Sequence, residues 1–104
     1  MTYENISPSE AKSRMDADPE AVIVDVRRPD EFVKGHIPGA LNVPLADIQD
    51  GNIPPCLADK NAVYLIYCRS GVRSVTAAVA LEKMGYTHLA NFGGILDWPY
   101  EIEH

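Results

Sequence analysis

The sequence predicts an α/β fold built on a parallel sheet, and three observations carry that reading. Residues 21–24 form a continuous apolar run without polar alternation, which suits a strand covered on both faces, as in a parallel sheet. Residues 63–67 form a second run, β-branched and aromatic. Beyond a short loop, Ala77, Ala80, Leu81 and Met84 recur at i, i+3, i+4 and i+7, the stripe of an amphipathic helix that Gly85 stops.

In chain order, Ser7-Pro8-Ser9-Glu10 opens a helix: Ser7 is the N-cap, Pro8 fits the first position, and Glu10 completes a capping box. Ala11 and Met15 face inward, and the helix ends near residues 16–19. The 21–24 strand runs out into Asp25-Val26-Arg27, at the same sheet edge as Cys68. Asp25 either takes hydrogen bonds from neighbouring loops or caps the next turn, and both readings stand. Arg28-Pro29-Asp30-Glu31-Phe32 is a short helix entered through proline. A turn-rich stretch, residues 35–40, leads to a brief strand at 41–43. Residues 46–59 are a surface connection with short helical turns. Residues 86–91 form one more strand, Gly93-Gly94 turns into a short helix, Trp98 packs the core edge, and residues 101–104 are frayed.

The central loop is the chemical feature. Cys68 closes the 63–67 run, so it lies at a strand's carboxyl end, where open α/β sheets place their ligands. The N–H groups opening the next helix lack intrahelical partners, and the helix dipole adds positive charge. Gly71 lets the loop curl so that several N–H groups converge, a nest that binds an anion and favours a thiolate. Arg69 and Arg73 stand beside it. Together these features describe a nucleophilic cysteine acting on an anionic substrate. His36 reads either as a base for Cys68 or as a loop histidine satisfying backbone groups; the second is expected, because the thiolate already has support. Cys56 reads as a small buried hydrophobe rather than a second redox thiol.

With 104 residues the chain is expected to be one domain, 1–104. Net charge of -6 argues against nucleic acid or an anionic membrane as partner. Yet four of five arginines, Arg27, Arg28, Arg69 and Arg73, fall in two short motifs. A small positive pocket is therefore expected, with Arg28 able to stand apart in solvent. Two cysteines without C-x-x-C or clustered histidines call for no disulfide scaffold, zinc site or cofactor. Met1-Thr2-Tyr3-Glu4-Asn5 lacks the basic start and apolar run of a signal peptide, and no run is long enough to span a membrane, so a cytoplasmic protein is expected.

Four stretches in order resemble the single-domain rhodaneses, the thiosulfate sulfurtransferase family. They are Val24-Asp25-Val26-Arg27; Glu31-Phe32 with Gly35-His36-Ile37-Pro38-Gly39-Ala40; Tyr67-Cys68-Arg69-Ser70-Gly71-Val72-Arg73-Ser74; and Gly93-Gly94 with Trp98. The resemblance implies a central, mostly parallel five-stranded sheet flanked by helices. It implies that Cys68 carries sulfur as a persulfide, taken from thiosulfate or a similar donor and passed to cyanide, a thiol or an accepting protein. The backbone from Arg69 through Ser70, Gly71 and Val72 to Arg73 would bind substrate, with the Arg69 and Arg73 side chains drawing in the dianion. Asp25, Arg27 and Ser74 would support the loop.

Two rivals are weighed against this. Cysteine phosphatases and arsenate reductases on a related scaffold use C-x5-R, whereas Cys68 and Arg73 are C-x4-R with Ser74 where that arginine would stand. The shorter loop suits a single sulfur atom better than a tetrahedral phosphate. A dedicated persulfide carrier or sensor serving one protein partner is the other alternative.

Overall fold

The computed structural model describes residues 3–104. Met1 and Thr2, which begin the stretch read as lacking a signal peptide, lie outside the described residues. The elements are β1 (Tyr3–Asn5), α1 (Pro8–Ala17), β2 (Val22–Asp25), α2 (Pro29–Phe32), β3 (Leu41–Asn42), α3 (Leu45–Gln49), a 3₁₀ turn (Pro55–Leu57), β4 (Val63–Cys68), α4 (Val72–Lys83), β5 (His88–Gly94) and a second 3₁₀ turn (Ile95–Asp97). The five strands order β1-β5-β4-β2-β3, and every pair is parallel. The α/β expectation holds. No helix among the described residues is long and apolar enough to cross a membrane.

The unbroken apolar runs follow from burial on both faces. Along β4, Tyr64, Ile66 and Cys68 enter the core beneath α3 and α4, while Leu65 and Tyr67 enter the core on the α1 side. All five are at most 1% exposed, so alternation in direction produces no alternation in polarity. Ala77, Ala78 and Leu81 of α4 are fully buried, while Ala80 and Met84 pack at the edge of the same cluster. Ala11 is buried under α1 and Met15 packs beside it. Trp98 joins this second core with Phe92, 5.5 Å between ring centroids.

Five features depart from the expectations or add to them. First, the capping box of α1 is half formed. The Ser7 hydroxyl accepts the Glu10 N–H at 3.1 Å, but the Glu10 carboxylate takes the Arg14 guanidinium at 2.7 Å. Second, the fifth strand is β1, which pairs along β5 at Tyr3–Leu89 and its neighbours, although residues 3–5 carry no apolar run. Third, β5 continues through Gly93 and Gly94 instead of turning there. Fourth, Cys56 is exposed: in its 3₁₀ turn the inward position belongs to Leu57, 0% exposed. Fifth, the tail is docked. Glu103 and His36 exchange backbone hydrogen bonds of 2.8 Å in an antiparallel bridge, and Ile102 packs into the second core.

Candidate active site

β4 and β2 are neighbours in register, Asp25 opposite Tyr67, which brings the ends of both predicted motifs to one sheet edge. Cys68 is the last residue of β4 and is 0% exposed. The chain then turns through residues 69–71 into α4, with Gly71 at φ +105 as its N-cap, a left-handed conformation that favours glycine. That turn aims the Gly71 N–H at Cys68 Sγ from 3.0 Å. Ser74, one turn into α4, sets its Oγ 3.5 Å from Sγ and 3.1 Å from the Gly71 carbonyl.

Burial pushes the Cys68 thiol up, but this is outweighed by the Ser74 hydroxyl and by the backbone N–H groups of Ser74, Gly71 and Ser70. The net effect holds the thiol below its ordinary value. The N–H groups that face the sulfur are those of Ser70, Gly71 and Ser74.

A second support was not visible in the sequence: β5 lies directly beneath the loop. A Cβ on Gly94 would meet Ser70 Cα at 2.6 Å and the Arg69 carbonyl closer still. The Leu96 N–H donates to that same carbonyl at 3.2 Å. Gly94 is therefore the bed on which the loop rests, because only a residue without a side chain allows the approach, while Gly93 is needed for its left-handed φ of +92.

The arginines do not assemble into one positive pocket. Arg27 is buried and forks onto Asp25, Nη2 to Oδ2 at 2.7 Å and Nε to Oδ1 at 3.0 Å, while Nη2 also donates to the Gly35 carbonyl at 2.6 Å. Asp25 Oδ1 further accepts the Arg27 N–H at 2.9 Å, so the local-cap reading of Asp25 is the one realised. Asn42 Nδ2 donates to the carbonyls of both residues, at 3.1 and 2.9 Å. These bonds tie β2 to the 35–42 segment and not to residues 69–74. Arg28 is exposed and pairs with Asp30 at 3.0 Å.

Arg73 reaches back to α2, donating to Glu31 at 2.6 and 3.0 Å. The guanidinium draws the Glu31 carboxyl down to about 2. Glu31 is thus a site residue that sequence reasoning quoted only inside a motif. Arg69 is exposed and, alone among the four, meets no carboxylate among the described residues. The positive character of the site comes from Arg69 and the backbone N–H nest.

His36 lies away from Cys68. Its Nδ1 contacts the Phe32 carbonyl at 3.1 Å, its ring stacks on Phe32 at 4.0 Å, and Nε2 is 3.5 Å from Glu103. The loop reading, not the base reading, describes it. Tyr67, next to the nucleophile, accepts the Ile37 N–H at 3.0 Å, and burial together with the Asp25 carboxylate raises its phenol.

Comparison with known proteins gives one consistent answer. The family model described as Rhodanese-like domain matches residues 7–100. The chain is 39% identical over 74 residues to thiosulfate sulfurtransferase PspE of Escherichia coli, covering 71% of this chain and 70% of that protein. It is 43% identical over 94 residues to a sulfurtransferase of Allochromatium vinosum, covering 86% and 83%. The crystal structure of a rhodanese-like domain protein from Staphylococcus aureus superposes with a TM-score of 0.81 at 33% identity, covering 96% of each chain.

Proposed function

Because the chain belongs to the rhodanese-like domain family, with sulfur transfer as the activity named for its relatives, we propose that Cys68 is the nucleophile that carries the sulfur. The observation that carries this reading is the cradle: one sulfur atom at the end of β4, met by a backbone N–H at 3.0 Å and flanked by a hydroxyl at 3.5 Å.

In the first half-reaction the Cys68 thiolate attacks the outer sulfur of thiosulfate. A new S–S bond forms on Sγ, the donor's S–S bond breaks, and sulfite leaves with the electron pair. The terminal sulfur then carries the negative charge and lies where the N–H groups of residues 69–73 converge, Ser70, Gly71 and Val72 included. Arg69, which meets no carboxylate among the described residues, attracts the incoming anion. Arg73 acts through Glu31, fixing the start of α4. Ser74 serves the sulfur directly, its hydroxyl able to donate once Cys68 is ionised. Asp25 and Arg27 support the loop at one remove, through Gly35 and the α2 helix that carries Glu31.

In the second half-reaction cyanide or a thiol takes the outer sulfur, and the electron pair of the broken S–S bond returns to Sγ. One cysteine serves both halves, so ping-pong kinetics follow. The C-x4-R loop, closed down on a single sulfur, favours this chemistry over phosphate-ester hydrolysis or arsenate reduction. We place the reaction in the cytoplasm, where two free thiols stay reduced.

Intact mass before and after thiosulfate tests the reading, with Cys68→Ser alongside. A gain of one sulfur, absent in the variant and reversed by cyanide, is the expected result. No gain with any sulfane donor would overturn it, and an aryl-phosphatase activity requiring Cys68 would replace it.

A further inference from the structure

The rim around Cys68 has features that a small anion does not use. Five large hydrophobic residues are exposed among the described residues, and two of them flank the three-residue loop that covers the sulfur. Val72, 73% exposed, follows the loop at the first turn of α4. Leu96, 61% exposed, follows β5, and its N–H is bonded to the Arg69 carbonyl at 3.2 Å. Scattered exposed aliphatics are ordinary on a protein surface; two adjoining the loop over a nucleophile are a candidate contact.

Charge narrows the occupant. Arg27, Arg28 and Arg73 are each neutralised by a carboxylate, at 2.7, 3.0 and 2.6 Å, which leaves Arg69, on the loop that Val72 and Leu96 adjoin, as the one of the four with no carboxylate among the described residues. A cation on a loop that exposed apolar residues adjoin matches a carboxylate with apolar neighbours. Cyanide, sulfite and small thiols offer no aliphatic surface, and a net charge of -6 disfavours an anionic membrane.

We propose that the rim formed by Val72, Arg69 and Leu96 docks a polypeptide acceptor whose cysteine stands beside an aliphatic residue and a carboxylate. The inference rests on the reading of Cys68 as sulfur carrier. In the transfer step the partner's thiolate attacks the outer sulfur of the protonated persulfide, Cys68–S–SH. The partner's new S–S bond forms as the Cys68 S–S bond breaks, and the electron pair leaves on Sγ. The products are a partner persulfide and the Cys68 thiolate, with no external oxidant or reductant.

The test separates the two claims. The protein is loaded with thiosulfate, desalted and checked by intact mass. Discharge is then timed against cyanide, free cysteine, the peptide acetyl-Glu-Leu-Cys-Leu-Gly-amide, and a version with Gln for Glu and Ser for each Leu. The acidic, aliphatic peptide should discharge the persulfide at least tenfold faster than free cysteine or the polar peptide. Leu96→Ser should remove that preference while cyanide discharge stays within twofold, and Arg69→Gln should remove the dependence on the carboxylate. Equal rates for all thiols, unchanged by Leu96→Ser, would overturn the docking surface and leave the sulfur chemistry standing.

If Cys68 accepts no sulfur, docking is read without it, from amide chemical shifts on adding the peptide with serine in place of cysteine. Shifts at Val72 and Leu96, lost in Leu96→Ser, would sustain the surface; their absence would overturn it. Sedimentation of the free protein covers the remaining occupant: a dimer abolished by Leu96→Ser would assign the rim to a second copy and overturn the proposal.

Discussion

Arg73 and Glu31, 42 residues apart in sequence, form a two-pronged ion pair with N–O distances of 2.6 and 3.0 Å. The pair ties the first turn of α4, which ends the Cys68 loop, to α2, which follows the buried Asp25–Arg27 fork. One carboxylate thus joins the two motifs that meet at the sheet edge. It also removes Arg73 from the set of free cations facing the sulfur.

Replacing Glu31 with Gln should weaken this tie. With the Glu31 side chain 18% exposed and that of Arg73 32%, the loss should be about 1–2 kcal/mol, seen as a melting point lower by about 5–10 °C. The pH dependence has a definite sign. The Glu31 carboxyl is lowered from 4.5 to about 2, so its stabilisation is complete above about pH 4.5 and is lost as pH falls through about 2. Glu31→Gln should therefore lie below the parent at pH 7 and converge with it in acid. Parallel stability curves down to pH 2 would show that the pair contributes nothing.

Ser74 and the nest should set the ionisation of Cys68. In a Cys56→Ser background, the thiolate's ultraviolet absorbance should titrate at lower pH than that of an unperturbed cysteine. Ser74→Ala removes the 3.5 Å hydroxyl contact and should move the midpoint upward, with slower loading from thiosulfate at neutral pH. Addition of alkali should then restore much of the rate. An unshifted midpoint would leave the hydroxyl with a structural part only.

The parts of this molecule legible in the sequence are those whose causes are local. Cys68 through Ser74 could be read as strand end, nest and helix start because a left-handed glycine and a helix N-terminus act over a few residues. The runs at 21–24 and 63–67 announced strands because both faces of the sheet are covered. What could not be read depends on partners distant in the chain. Tyr3-Glu4-Asn5 becomes a strand only because β5 offers it an open edge. Gly93 and Gly94 looked like a turn, yet the missing side chain of Gly94 serves the loop packed above it. Four clustered arginines suggested a positive pocket, and only the fold shows that carboxylates neutralise three of them.

The docked tail yields a prediction of its own. Glu103 and His36 exchange two backbone hydrogen bonds of 2.8 Å, Trp98 Nε1 donates to the Glu101 carbonyl at 3.1 Å, and Ile102 packs in the core. Each such bond contributes about 1 kcal/mol net. Removing residues 101–104 should lower stability by about 2–3 kcal/mol in urea denaturation, with one sulfur per chain still loaded from thiosulfate. A truncated protein as stable as the full chain would return the tail to the frayed state expected from sequence.

Gly94 is the sharpest steric requirement at the site. Its φ of -134 is extended, so a side chain there meets no backbone strain, only the loop above it. The atoms it would strike are main chain, the Arg69 carbonyl and Ser70 Cα, and they cannot rotate away as a side chain could. Gly94→Ala must therefore lift the loop or push β5 aside, at about 1–3 kcal/mol. Lifting the loop carries the Gly71 N–H off its 3.0 Å contact with Sγ. Thiosulfate loading should fall at least tenfold and the Cys68 midpoint should rise. Gly51→Ala is the control, because Gly51 has φ +77 but open space around it. That change should cost about 1 kcal/mol of backbone strain and leave loading unaltered. If the two alanine variants lose equal stability and both load at the parent rate, the contact between β5 and the loop does not shape the cradle.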